Sequence, residues 1–278
     1  MIVNALEKGW EVFYHRGHAV LAAQIGAQLA WTIGDRPARL IETIAAIFHH
    51  DDMALEWESD HLSDVGTPMD FTLQAAQKDM DAETIRTMEQ LIEHASYRGR
   101  WVALLVSMHC CFLNEPKRKQ SAALASFLRS QKAQQKRWQR ALKITVTQAN
   151  QAYAFMQWCD RLSLMLCQRE LPTRQRAIEV SLGPDGQRYD AVQREDGSVT
   201  IRPWPFKQAS FTVDIEATYL TQPTFKDNPA FIAALRTAPV KTIEWQFSMD
   251  SGTKNGNHVR EMHRRPVEKA RSQPHGEE

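Results

Sequence analysis

The chain is short of net charge: 34 Lys and Arg stand against 33 Asp and Glu in 278 residues. No global field therefore draws it to nucleic acid or to an anionic membrane, and a small-molecule substrate is the easier expectation. It also lacks any apolar run near the roughly 18 residues needed to span a bilayer, and it has no export signal at the start, so a cytoplasmic protein is expected. The four cysteines, Cys110, Cys111, Cys159 and Cys167, lie in apolar surroundings without the spacing of a disulfide framework or a zinc knuckle, which makes them reduced core residues. There is no Walker phosphate loop, no Gly-rich dinucleotide fingerprint, no Gly-x-Ser-x-Gly elbow and no paired Cys-x-x-Cys, so the common nucleotide, flavin and serine-hydrolase classes lose ground.

What is present is a substantial apolar fraction, 43% of residues, enough for a sizeable core. Ala19, Ala22, Ile25, Gly26 and Leu29 recur at helical spacing after His18, and Gly34-Asp35-Arg36-Pro37 ends that segment. Leu40, Ile41, Ile44, Ile47 and Phe48 give a second helix a broad apolar face that runs into His49-His50-Asp51. Residues 52 to 71 read as an acidic loop able to cover a site. Helices are expected over about 72 to 95, 99 to 113, 117 to 142 and 145 to 170. The third is basic, and its charges read as a solvated face opposite Leu124, Phe127, Leu128, Trp138 and Leu142. From Pro172 the texture alternates between strands and turns, with a short helix near 228 to 237. The fold expected is mainly α: a helical domain over 1–171, a small C-terminal β-rich (α+β) module over 172–250 built round Trp204, Phe206, Phe211 and Tyr219, and a flexible polar tail over 251–278.

Four residues on separate helical segments, His18, the adjacent His50 and Asp51, and Asp160, have the chemistry of a metal site. Imidazole and carboxylate converging from several elements suit a divalent ion, Mn, Fe, Zn or Mg. Successive helical residues point about 100° apart, so His50 and Asp51 share one ion only if it lies over the edge between them. Asp160 sits among Phe155, Met156, Trp158, Leu162 and Leu164, where a carboxylate is costly unless paired or metal-bound. His109 is another polar side chain in an apolar run and joins the candidate ligands. His49 competes with His50, and His94 is a weaker candidate. Asp52 and Glu58, with Glu56 and His61 nearby, are candidate general bases. Arg161 and Lys117 are candidate anion holders, each with a structural ion pair as the alternative.

The order His, His-Asp, Asp resembles the HD superfamily, whose helical cores bind one or more metals. Closer agreement comes from the flanks: Tyr14-His15-Arg16-Gly17-His18-Ala19, Phe48-His49-His50-Asp51-Asp52 with Trp57-Glu58, and Gly66-Thr67-Pro68-Met69-Asp70-Phe71. Leu104 to His109, Cys159 to Leu164 and Pro203-Trp204-Pro205-Phe206 extend it. Together these resemble the uncharacterised HD-like family called domain of unknown function 3891, although Met53-Ala54 stands where that family usually has Gly-Trp. The resemblance implies an HD-like helical bundle and a metal-dependent phosphohydrolase acting on a small phosphate ester or nucleotide, with metal at His18, His50, Asp51, Asp160 and His109. A di-iron oxygenase bridged by Asp51 and using His94, or a non-enzymatic metal-binding interaction protein, are the alternatives. A homo-oligomer is compatible with all three.

Overall fold

The computed structural model describes residues 1–33, 38–52, 61–73 and 82–250. The chain opens with strands, not with a helical lead-in: β1 (Ile2–Ala5) and β2 (Trp10–Phe13) form a hairpin. Gly9 turns it with φ +84°, and a Cβ there would lie 1.8 Å from the Leu220 carbonyl oxygen, so a side chain is excluded. Helices α1 (His15–Gln28) and α2 (Ala38–His49) follow, then α3 (Ala82–Tyr97), α4 (Arg100–Asn114), α5 (Ala122–Leu142) and α6 (Val146–Cys167). The C-terminal part adds β3 (Ala177–Leu182), β4 (Arg188–Gln193), β5 (Val199–Arg202), β6 (Ser210–Leu220), α7 (Asn228–Thr237) and β7 (Val240–Ser248).

The strands make one seven-stranded sheet in the order β1-β2-β6-β7-β5-β4-β3, antiparallel except for the β5–β7 pair. The expected mainly α architecture, a helical bundle with a small C-terminal β-rich module, is therefore overturned: the fold is α+β on a curled mixed sheet. The eleven-residue β6 is the reason. It pairs along nine residues with β7 and, at its far end, accepts the N-terminal hairpin through Trp10↔Leu220 to Val12↔Thr218. Two strands of four residues each are too short to leave a readable alternation, and their partner lies some two hundred residues away.

Local signals explain most boundaries. Thr145 opens α6 with a capping box completed by Gln148, Ser121 accepts the Leu124 amide at the start of α5, and Asp227 does the same for Ala230 in α7. The expected helix over 117 to 142 is thus two elements, since Glu115–Gln120 forms a 3-10 turn before the Ser121 cap. Helix α4 is apolar all round, with Trp101 to Ser107 entirely buried, and it occupies the middle of the helical layer against α2, α3, α5 and α6. Gly26 lets α1 close on its neighbours, because a Cβ there would come within 2.8 Å of Ile44 and 3.3 Å of Cys159.

Helix α1 also rests on β6. The Gln24 amide donates to the Asp214 carbonyl and its oxygen accepts from the Asp214 amide, satisfying backbone on the β6 edge that β2 does not reach. At the other end of α1, Ala30 and Lys207 exchange backbone bonds with Pro205 and Gln28, and Phe206 packs against Trp158, Trp204, Phe211 and Phe247. All four cysteines are buried and free. Among the described residues no helix is long and apolar enough to cross a membrane. The tail from Ser251 lies outside the described residues.

Candidate metal centre

The first turn of α1, the C-terminal end of α2, the last turns of α4 and the middle of α6 meet at one point in the helical layer. His18 Nε2 lies 2.5 Å from Asp51 Oδ2 and 3.8 Å from Asp160 Oδ1, while His50 Nε2 lies 3.2 Å from Asp160 Oδ1 and 3.6 Å from Asp51 Oδ2. The two imidazoles are 1% exposed, Asp160 is 12% and Asp51 26% exposed, so the cluster is closed at the histidines and open at Asp51. His109 stacks edge-on to His50 at 4.9 Å between ring centres. Two donor groups result, His18–His50–Asp51 and His50–His109–Asp160, sharing His50.

The hydrogen bonds behind the rings fix their proton positions. His50 Nδ1 is 2.6 Å from the carbonyl of Ile47, a group with only lone pairs to offer, so Nδ1–H donates and Nε2 carries the free lone pair. That carbonyl is one of the orphans at the end of α2, which the imidazole satisfies. His18 Nδ1 is 2.9 Å from Ser163 Oγ, whose own proton goes to the Asp160 carbonyl at 2.8 Å. The hydroxyl is thus the acceptor and His18 also presents a bare Nε2. Two imidazole lone pairs and two carboxylates then face one another at contact distance. Only positive charge between them, a proton or a metal ion, makes that stable.

In the absence of metal, His50 takes the proton. Burial opposes its charge, but the carboxylates of Asp51 and Asp160, with the bonds to Asp160 and Ile47, push its pKa up to about 10. Burial alone would raise both carboxyls, yet the charged His50 beside them holds Asp51 well below the usual range and Asp160 below it as well. His109 is pushed down to about 4 by burial and by the His50 charge, so it is a neutral donor. Its Nδ1 is 3.4 Å from the Tyr153 hydroxyl.

The structure therefore brings His18, His50, Asp51, His109 and Asp160 together. Asp52 follows directly but turns away: Oδ2 is 2.6 Å from His49 Nδ1 and Oδ1 is 3.7 Å from Arg16. His49 spends its other nitrogen on the Leu91 carbonyl, which makes it a support for the loop. Glu58, Glu56, Met53, Ala54 and Trp57 lie outside the described residues. His61 packs near Phe231, and its amide donates to Asn228. His94 is exposed on α3 against Tyr97. Arg161 pairs with Glu170.

Sequence reasoning missed Ser163, which sits three residues after Asp160 and so on the same helix face. A hydroxyl at that step, in an otherwise apolar stretch, was the available signal.

The pattern of His18, His50-Asp51 and Asp160 belongs to a stretch that the family model for "Protein of unknown function (DUF3891)" matches over residues 1–222. The chain belongs to the DUF3891 family. No curated protein and no solved structure matches it. The matched region holds every member of the donor cluster and the first six strands of the sheet.

Proposed function

We propose that this member of the family is a metal-dependent phosphohydrolase of the HD-like kind, acting on a small phosphate ester or nucleotide. The observation that carries this reading is the pair of imidazole Nε2 lone pairs, fixed by Ile47 and Ser163, aimed at the same two carboxylates. Outer partners of this type orient ligands and raise their basicity. His18, His50, Asp51 and Asp160 would hold a divalent ion of the Mn, Fe, Zn or Mg group, with His109 as a further nitrogen. When bound, such an ion lowers the pKa of water and polarises a phosphoryl oxygen. The protein's own part is to present Asp51 at the open side and to keep water away from the histidines. Asp52, drawn aside by His49 and Arg16, is left as a support for the loop after α2 and not as the general base.

The shared His50 and the neighbouring His109 favour room for a second ion, which keeps a di-iron oxygenase as the second reading. The exposed place of His94 weighs against it, because that histidine was needed as a ligand.

Elemental analysis of protein purified without added metal, beside His50→Ala and Asp160→Ala, tests both readings. Manganese, zinc or magnesium lost in both variants, with turnover of p-nitrophenyl phosphate, supports hydrolysis. Iron with oxygen uptake and no phosphatase turnover selects the second reading. A metal-free wild type that gains no turnover on adding manganese overturns both.

A further inference from the structure

The near-zero net charge conceals a strong separation of sign along the chain. Residues 51 to 93 carry twelve Asp and Glu against two Lys and Arg, whereas residues 116 to 159 carry nine Lys and Arg and no acidic residue at all. On α5 the basic residues Arg129, Lys132, Lys136 and Arg140 follow one another at steps of three, four and four, so they form a single row about 16 Å long. All four are exposed. Lys132 pairs with Glu115, which Arg118 also holds, while Arg129, Lys136 and Arg140 meet no carboxylate among the described residues.

A concavity of about 530 Å³ adjoins this row, and Lys132 belongs to both. Its walls include Met108, Tyr153 and the ring of Phe112, which is 51% exposed and 6.0 Å from the Tyr153 ring. A large aromatic left half bare at an apolar pocket that Glu115 and Lys132 also line, beside a row in which Arg129, Lys136 and Arg140 meet no carboxylate among the described residues, fits a ligand with linear negative charge and flat rings. We infer that α5 and the Phe112 pocket bind single-stranded nucleic acid, the phosphates along the row and one base against Phe112. A membrane fits less well, because the exposed neighbours on the row are Ser126, Ser130 and Ala133, with no large apolar side chain to insert. A duplex offers no unstacked base for the pocket. The row lies on α5, while the pocket borders the donor cluster, since the Tyr153 hydroxyl is 3.4 Å from His109 Nδ1; neither phosphate nor base binding requires a metal ion, so the inference does not rest on the hydrolase reading.

The test is fluorescence anisotropy of a labelled oligothymidylate with the full chain in EDTA, which removes the metal site from the outcome. Four phosphate contacts give a log–log salt slope of about −3, a loss of about fiftyfold between about 50 and 200 mM KCl. Replacing Arg129, Lys136 and Arg140 together by Gln should flatten the slope to about −1. Phe112→Ala should weaken binding roughly tenfold at every salt concentration with the slope kept, and Phe112→Tyr should restore it. Circular dichroism checks that these exposed substitutions leave the fold intact. No binding by the wild type at the low salt, or equal binding by the triple variant, overturns the inference. So does a duplex that binds as well as the single strand with Phe112→Ala silent, or capture by phosphatidylglycerol vesicles without capture of the oligonucleotide.

Discussion

Ser163→Ala is the sharpest test of how the candidate metal centre is built. The serine is fully buried, and its Oγ is the acceptor for His18 Nδ1–H at 2.9 Å. Without that oxygen, the N–H of a side chain only 1% exposed has no partner, and an unmet buried donor costs about 1–3 kcal/mol. The ring can escape by moving its proton to Nε2, where Asp51 accepts it, but that tautomer has no lone pair left for an ion. Binding metal then requires reversal of the tautomer against the same 1–3 kcal/mol, so Kd should rise by about 5- to 150-fold. This overlaps the roughly 10- to 100-fold known for outer partners of metal-bound histidines. Competition with a chelating dye measures Kd, and urea unfolding of the metal-free protein measures the stability change separately. If stability falls while Kd stays within twofold of wild type, the hydroxyl is only a packing element and the assigned tautomer is wrong.

Three further outcomes are expected. Asp160→Asn should remove metal while leaving the fold intact at pH 7, as read by metal content and circular dichroism; retained metal would show that Asp51 and the histidines suffice. Glu11, fully buried, accepts from Arg169, Tyr219 and Asn4 and so ties the N-terminal hairpin to β6 and the end of α6; Glu11→Gln should cost about 2–3 kcal/mol in urea unfolding. Burial resists its charge, but these donors hold its pKa below the ordinary glutamate value of 4.5; its contribution is therefore present above about pH 4.5, is lost as pH falls below that, and should be missing from the pH profile of the Gln variant. Gly9→Ala should destabilise by more than about 2 kcal/mol, since it adds a positive-φ penalty to a 1.8 Å clash with Leu220; a melting temperature within a degree of wild type would show that the hairpin shifts freely.

The helices were legible because their signals are local. The apolar spacing of α1, α2 and α6, and the alternation of β3 to β5, are set by neighbours within a turn or a hairpin. The site was legible for a related reason: a buried helix that ends in His50-Asp51, and a carboxylate at Asp160 inside an apolar run, each conflict with their surroundings unless something compensates. The architecture was not legible. Only β6, pairing at one end with a hairpin from the start of the chain and along its length with β7, makes one sheet of what read as a helical bundle plus an appendage.

What the sequence by itself determined is the set of residues whose chemistry demands a partner: His18, His50, Asp51, His109 and Asp160. What only the tertiary structure decided is who those partners are. Ser163 turns the tautomer of His18, the Ile47 carbonyl turns that of His50, and His49 draws Asp52 aside. Those choices depend on distances of a few tenths of an ångström between side chains far apart in sequence, and no periodicity or motif encodes such distances.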